Sequence, residues 1–151
     1  PIALVQELGH TEEAYNLIIA LFLCVWLTDA AAYFCGRKWG KRKLAVEISP
    51  NKTIVGFCGG IGGSLLPIVL YNELPSFAPI TLFGIFLIVG IFGQIGDLVE
   101  SAIKRDLGNT KDAPAIIPGH GGMMDRFDSY FFAFPSAYIL LKSISAISAS
   151  P

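Results

Sequence analysis

Four long apolar segments constrain the fold of this chain more than any other feature. They run over residues 14–35, 54–71, 77–95 and 127–147. A helical segment of about 20 apolar residues matches the hydrocarbon thickness of a bilayer. The 151 residues are 53% hydrophobic and only 15% charged, which is unusual for a soluble domain. We therefore predict an all-α, polytopic integral membrane protein with about four transmembrane helices, forming a single membrane-embedded domain over residues 1–151.

The positive charges give this predicted bundle an orientation. Six of the eleven Lys and Arg residues fall in the loop 36–53 and four fall between Lys104 and Arg126, whereas the opposite loop 72–76 has none. Loops rich in Lys and Arg remain in the cytoplasm. The charged loop between the last two helices is therefore predicted at the cytoplasmic face of the cell inner membrane or its equivalent. A net charge of -1 gives no reason to expect a nucleic-acid partner.

Small residues are concentrated in the second apolar segment, which contains five glycines between residues 56 and 63. Glycine on a membrane helix lets another backbone approach closely. The pair Gly56 and Gly60 fits either packing within the chain, which we favour, or a homodimer, which the sequence leaves open. The three cysteines lack metal-type spacing, and we interpret them as small core residues.

Ionisable residues lie where apolar surroundings make them costly. Asp29 is near the end of the first segment, and Asp97 follows the third. If the third helix continues, Asp97, Glu100 and Lys104 share one face. Asp125 and Asp128 are similarly spaced at the start of the fourth helix, where favourable interaction with the helix dipole is an alternative explanation.

The stretch 101–129 combines the parts of a phosphoryl- or nucleotidyl-transfer site. Carboxylates suit a hard cation such as Mg²⁺, and a second, monovalent cation such as K⁺ is left open. Basic side chains provide donors for phosphate oxygens, and the turn 118–122 lets a backbone approach a ligand. His120 either hydrogen-bonds the backbone of this turn or contacts phosphate and transfers protons; we favour the second role.

The same stretch resembles the signature of the phosphatidate cytidylyltransferases, the CDP-diacylglycerol synthases. The positions that match are Ser101, Ile103, Lys104, Arg105, Lys111, Asp112, Pro118, His120, Gly121, Gly122, Asp125, Arg126, Phe127 and Asp128. An upstream part is also similar to the family: Asp29, Ala32, Tyr33, Gly36, Arg37, Gly40, Lys41, Ser49, Pro50, Lys52, Thr53, Gly56, Gly59 and Gly60. Between Arg105 and Lys111 the chain has one residue more than the family pattern.

The resemblance implies the reaction of CTP with phosphatidate in the bilayer to give CDP-diacylglycerol and pyrophosphate, with Mg²⁺ required. It also identifies the chain as the C-terminal, catalytic half of a longer enzyme. The predicted Mg²⁺ ligands are Asp97, Asp125 and Asp128. The predicted catalytic residues are Lys104, Arg105, Lys111, Asp112, His120 and Arg126. The predicted substrate-binding residues are Asp29, Lys52, Ser101, Gly121 and Gly122.

Other functions fit parts of the pattern. A CDP-archaeol synthase or a dolichol kinase would use CTP in similar chemistry with a different lipid. CDP-alcohol phosphotransferases are disfavoured, because their motif is not found. A transporter would tolerate Asp29 and Asp97 but predicts charges lining several spans, and a structural subunit leaves the turn 118–122 unexplained.

Overall fold

The chain folds into helices joined by one small sheet. The computed structural model describes residues 2, 12–70, 78–106 and 124–148, apart from the side chains of 104, 124–128, 145, 147 and 148. The elements in chain order are α1 (Glu12–Trp39), β1 (Lys43–Ala45), β2 (Ser49–Thr53), α2 (Ile54–Ser64), α3 (Pro67–Leu70), α4 (Pro79–Asp106) and α5 (Met124–Ser148). The predicted helical character is confirmed for these residues, and the sheet is an addition to it.

Two of these helices have the length and composition needed to cross a membrane. They are α1, over its full length, and α4 over Pro79–Ile103. Helix α1 carries Glu12 and Glu13 in its first turn and Arg37 and Lys38 in its last. These charges interact favourably with the helix dipole and stabilise the helix. Among its described residues the structure thus has two candidate spans, whereas the sequence predicted about four.

The second apolar segment is not one continuous helix. Helix α2 ends at Ser64, and the N–H groups of Leu65 and Leu66 bond in tighter turns to the carbonyls of Gly62 and Gly63. Pro67 then begins α3. Proline has no N–H to continue the helical pattern, and it disfavours helical geometry in the residue before it. These properties explain the break.

The main apolar core lies between α1, α4 and α5. Its buried residues are Leu17, Ala20, Leu21, Cys24, Val25, Leu82, Ile85, Phe86, Val89, Ala133, Phe134, Ala137 and Leu141. The spacing is close to every fourth residue on each helix, as expected when one helical face is buried. Cys24 is part of this core, as predicted, whereas Cys58 is exposed and Cys35 is half-buried.

Helix α2 packs against the C-terminal half of α1 through its glycines. A Cβ atom at Gly56 would lie 2.8 Å from the carbonyl oxygen of Ala32, and one at Gly63 would lie 2.7 Å from that of Leu27. Gly60 is in contact with Gln94 of α4. The pair Gly56 and Gly60 is therefore used in packing within the chain, as we favoured, and a homodimer would need a different surface.

The polar loop predicted over 36–53 has regular structure. Its start is the last turn of α1, and its remainder is a β-hairpin in which Lys43 pairs with Thr53 and Ala45 pairs with Ser49. The N–H of Ile54 also donates to the carbonyl oxygen of Arg42 at 3.1 Å. These bonds fix the hairpin to the start of α2, beside the end of α1.

Candidate active site

A cavity of about 600 Å³ opens where α1, the hairpin, α2 and α4 meet. Helix α1 and the strands of the hairpin each contribute five lining residues. The lining residues are Asp29, Ala32, Tyr33, Gly36, Arg37, Gly40, Lys43, Leu44, Asn51, Lys52, Thr53, Gly56, Phe57, Gln94 and Asp97. Acidic and basic side chains thus face one space beside predominantly apolar helices.

An ion pair crosses this cavity wall. Lys52 Nζ of β2 lies 2.5 Å from Asp97 Oδ2 of α4, and both side chains are partly exposed, by 26% and 36% respectively. The sequence assigned Lys52 to substrate and Asp97 to metal, but the structure brings the two side chains into direct contact. Any ligand of Asp97 must therefore share its carboxylate with an ammonium group or displace that group.

Thr53 fixes the backbone next to Lys52. It is the N-cap of α2, where its extended backbone lets the side-chain Oγ1 accept a hydrogen bond from the Gly56 N–H at 3.1 Å. The same hydroxyl faces Gly36 of α1 and Gly40 just beyond its end, where a Cβ atom would collide with it. One buried side chain thereby connects the hairpin, α1 and α2 at the cavity.

Gln94 connects α4 to α2 one turn before Asp97. Its side chain is 5% exposed, and Nε2 donates to the carbonyl oxygens of Phe57 at 3.2 Å and Gly90 at 3.3 Å. A buried amide that is satisfied in this way holds both helices in a fixed relation. We infer that Gln94 fixes the position of α4 from which Asp97 extends.

Asp29 lines the same cavity from α1, and it interacts electrostatically with Asp97 and Lys52. Two predicted residues of the substrate-binding set, Asp29 and Lys52, are therefore near one predicted metal ligand, Asp97. The cavity also contains Arg37, whose Nη1 donates to the Tyr33 hydroxyl at 3.1 Å.

Other predicted site residues lie elsewhere or outside the described part of the chain. Ser101 and Arg105 are on α4, about one and two turns beyond Asp97, and neither lines the cavity as described. For Lys104 and Arg126 only the backbone is described. The remaining predicted residues lie outside the described residues: Lys111, Asp112, His120, Gly121 and Gly122.

The two remaining predicted metal ligands, Asp125 and Asp128, have a described backbone in α5 but no described side chains. Gly93 of α4 faces Ser129 of α5, where a Cβ atom would lie 3.8 Å from Ser129 Cβ. The start of α5 at Ser129 therefore lies beside Gly93, which is one turn before Asp97 on α4.

A cluster of three or more Asp, Glu, His or Cys side chains suited to a metal is absent from the part of the chain that is described. Asp29 and Asp97 form a pair in the cavity. The other two residues of the predicted three-carboxylate set, Asp125 and Asp128, lie outside the described side chains.

Several lining residues were not assigned roles from the sequence. Arg37 and Tyr33 belong to the upstream part that resembles the family, and Gln94 is an amide within an apolar segment. The resemblance could have identified Arg37 and Tyr33. The position of Gln94 was also informative, because a polar residue in an apolar segment needs a buried partner or a function. Lys43 and Asn51 gave no such signal, since the hairpin that orients them was not predicted.

The chain is similar in sequence to known proteins over most of its length. A model of the Cytidylyltransferase family matches residues 2–144. The phosphatidate cytidylyltransferase of Bacillus subtilis (strain 168) is 47% identical over 138 residues, which are 88% of this chain and 51% of that protein. The enzyme of the same name from Staphylococcus aureus (strain COL) is 50% identical over 131 residues, 85% of this chain and 50% of that protein. The chain spans about half the length of these relatives.

Proposed function

The chain belongs to the cytidylyltransferase family, and from this membership we propose that it forms the catalytic half of a phosphatidate cytidylyltransferase. The similarity to enzymes of that name over most of the chain carries the proposal. The cavity supports it, because Lys52, Arg37 and Lys43 provide positive charge for phosphates near the carboxylates of Asp29 and Asp97.

The proposed reaction joins a lipid phosphate to a cytidylyl group. An oxygen of the phosphatidate phosphate attacks the α-phosphorus of CTP, and the bond from that phosphorus to the bridging oxygen breaks. Pyrophosphate leaves with the bonding electrons, and CDP-diacylglycerol remains. Such transfers depend mainly on positioning and charge stabilisation. The basic side chains Lys104, Arg105, Lys111 and Arg126 would share the neutralisation of the phosphates with Lys52.

The residues present fit Mg²⁺. Asp29 and Asp97 contribute hard oxygen donors to one cavity, and Ser129 near the start of α5 packs against Gly93, one turn before Asp97. Asp97, Asp125 and Asp128 would hold the ion, which when bound supplies positive charge to the triphosphate. Lys52 would then contact phosphate or remain paired with Asp97 at the edge of the ion site.

We further propose a multi-pass membrane protein with this cavity at the cytoplasmic face. Helices α1 and α4 have the composition of membrane spans, and the stretch 36–53, which includes the hairpin at the cavity, carries six Lys and Arg residues. A lipid substrate remains in the bilayer, whereas CTP is soluble. A site at the membrane face is accessible to both.

CTP labelled in its cytidine group tests the reaction directly. Purified protein in micelles that contain phosphatidate should transfer the cytidine label to lipid and release an equal amount of pyrophosphate. EDTA should abolish both products, and added Mg²⁺ should restore them. A lipid labelled only from the γ-phosphate of CTP would identify a kinase instead, and the absence of any labelled lipid would contradict the proposal.

Metal-ligand variants test the assignment of the carboxylates. Asp125→Ala and Asp128→Ala should each reduce Mg²⁺-dependent turnover at least about tenfold, because each removes a charged group from the transition-state environment. Asp106→Asn is the control, since Asp106 is exposed at the end of α4 and outside the described cavity lining. Turnover within about tenfold of the parent protein in either Ala variant would contradict the metal assignment.

A further inference from the structure

Tyr33 and Arg37 form a polar pair at the mouth of the cavity. They lie one turn apart on α1, and Arg37 Nη1 donates a 3.1 Å hydrogen bond to the Tyr33 hydroxyl, which orients the guanidinium. Both side chains line the cavity and both are exposed, Tyr33 by 58%. Residues that line a cavity while remaining exposed are at its rim, where a ligand enters.

The charge of Arg37 is available to a ligand. Within the described residues, the ion pair found at the cavity joins Lys52 to Asp97, and Arg37 has no carboxylate within 4.0 Å. Its bond to Tyr33 uses one of the five N–H donors of a guanidinium. The other donors include a planar pair suited to two oxygens of one phosphate.

The surroundings indicate that this rim faces lipid. Helix α1 has the length and composition of a membrane span, and large side chains on its outer surface are exposed: Trp26 by 66%, Phe34 by 68% and Trp39 by 58%. Aromatic residues and Arg near the end of a spanning helix lie at the level of the lipid headgroups. A phosphate of a membrane lipid lies at that same level.

We propose that Arg37, oriented by Tyr33, binds the phosphate group of a membrane lipid at the mouth of the cavity. The identification of that lipid as phosphatidate depends on the proposed function. Lys43 and Lys52 on the hairpin remain for the phosphates of the nucleotide. The site would hold the attacking phosphate at the boundary between bilayer and cavity.

A different role for Arg37 is that of an interfacial anchor that only fixes the depth of α1. Lys38 provides the matched control, because it has the same charge in the same turn of α1 but does not line the cavity as described. Its ammonium lies over the Trp39 ring, 4.9 Å from the ring centre. An anchoring role predicts similar effects for both residues, whereas a binding role predicts an effect for Arg37 alone.

Steady-state kinetics test the site in mixed micelles of defined phosphatidate content. Arg37→Ala should raise KM for phosphatidate about tenfold or more, with KM for CTP within about twofold, as expected for losing charge-assisted hydrogen bonds to one substrate. Arg37→Lys and Tyr33→Phe should give smaller increases in the same KM. Lys38→Ala should leave both KM values near those of the parent protein.

A binding measurement separates this inference from the proposed reaction. Both tryptophans of the chain, Trp26 and Trp39, are on α1, so their fluorescence can report titration with short-chain phosphatidate or short-chain diacylglycerol. Phosphatidate should bind more tightly than diacylglycerol, and Arg37→Ala should remove the difference. Arg37-dependent binding without CDP-diacylglycerol formation would refute the reaction alone. Equal effects of Arg37→Ala and Lys38→Ala, or a change confined to KM for CTP, would overturn the lipid-phosphate site.

Discussion

At the residue scale, the contact between Lys52 and Asp97 pairs two opposite charges in the cavity wall. The residues come from β2 and α4, which are joined through more than forty intervening positions. Both side chains are partly exposed, so their attraction adds at most about 1 kcal/mol to stability. The effect of the pair on ligand binding is therefore expected to exceed its effect on folding.

Substitutions at this pair separate the two effects. Lys52→Met and Asp97→Asn should each lower turnover at least about tenfold, because each removes a charge that faces the ligands. The reversed pair, Lys52→Asp with Asp97→Lys, should regain thermal stability but not turnover. Lys41→Met is the control, since Lys41 is exposed and outside the described lining. Recovery of turnover in the reversed pair would show a purely structural role.

Thr53 also acts at the residue scale, through the hydrogen bond from Gly56 to its hydroxyl. Thr53→Val keeps the shape of the side chain but removes the acceptor, and it should lower the free energy of unfolding by about 1 kcal/mol. Thr53→Ser keeps the acceptor and should cost less. Thermal unfolding in detergent measures both. If Val is tolerated as well as Ser, the cap does not stabilise α2.

At the scale of elements, α2 is organised by which of its glycines contact α1. Gly63 is buried against Leu27 and Ala31, whereas an added Cβ at the neighbouring Gly62 meets nothing within 4 Å. The two positions share the same helix and differ in the side they face. Close packing of backbones, rather than glycine content alone, therefore explains why this segment is rich in small residues.

The adjacent pair gives a matched test of that packing. Gly63→Ala should destabilise the protein by about 1–3 kcal/mol, because the new methyl group collides with the Leu27 carbonyl and the Ala31 side chain. Gly62→Ala should be neutral or stabilising by up to about 1 kcal/mol, since Ala favours a helix. Unfolding temperatures of the two variants measure the difference. Equal temperatures would contradict the described packing of α2 on α1.

At the scale of the whole molecule, α1 relates the cavity to the membrane. Its 28 residues extend about 42 Å, enough to cross a bilayer. The exposed Glu13 is at one end of the helix, and the exposed Glu47 is in the hairpin turn beyond the other end. The proposed topology therefore places these two residues on opposite sides of the membrane.

Cysteine labelling tests this topology. In a background in which Cys24, Cys35 and Cys58 are replaced, Glu47→Cys should react with an impermeant maleimide in inside-out vesicles but not in intact cells. Glu13→Cys should show the opposite pattern. The same pattern for both variants would contradict a spanning α1, and exchanged patterns would place the cavity on the external face.

The amino-acid sequence by itself determined the helical class, the approximate segments and the family resemblance, because apolar runs, charge asymmetry and motif spacing are local properties of a chain. It also singled out Asp29, Lys52 and Asp97. It did not predict the hairpin within 36–53, since the strands are short and their pairing depends on contacts with α1 and α2. It also did not predict the break before α3, because the apolar run continues through Pro67, the residue that explains the break.

Only the tertiary structure decided which of these residues share a cavity. Two contacts join elements that are distant in sequence: Lys52 with Asp97, and Gln94 with Phe57. The exposure of Arg37 and Tyr33 depends instead on which face of α1 is covered. These contacts and exposures arise from the packing of the helices. The glycine positions allow close packing, but they do not determine which helices pack together. The sequence therefore indicated the chemistry of the site, and the packing of α1, α2 and α4 determined the arrangement of its described residues.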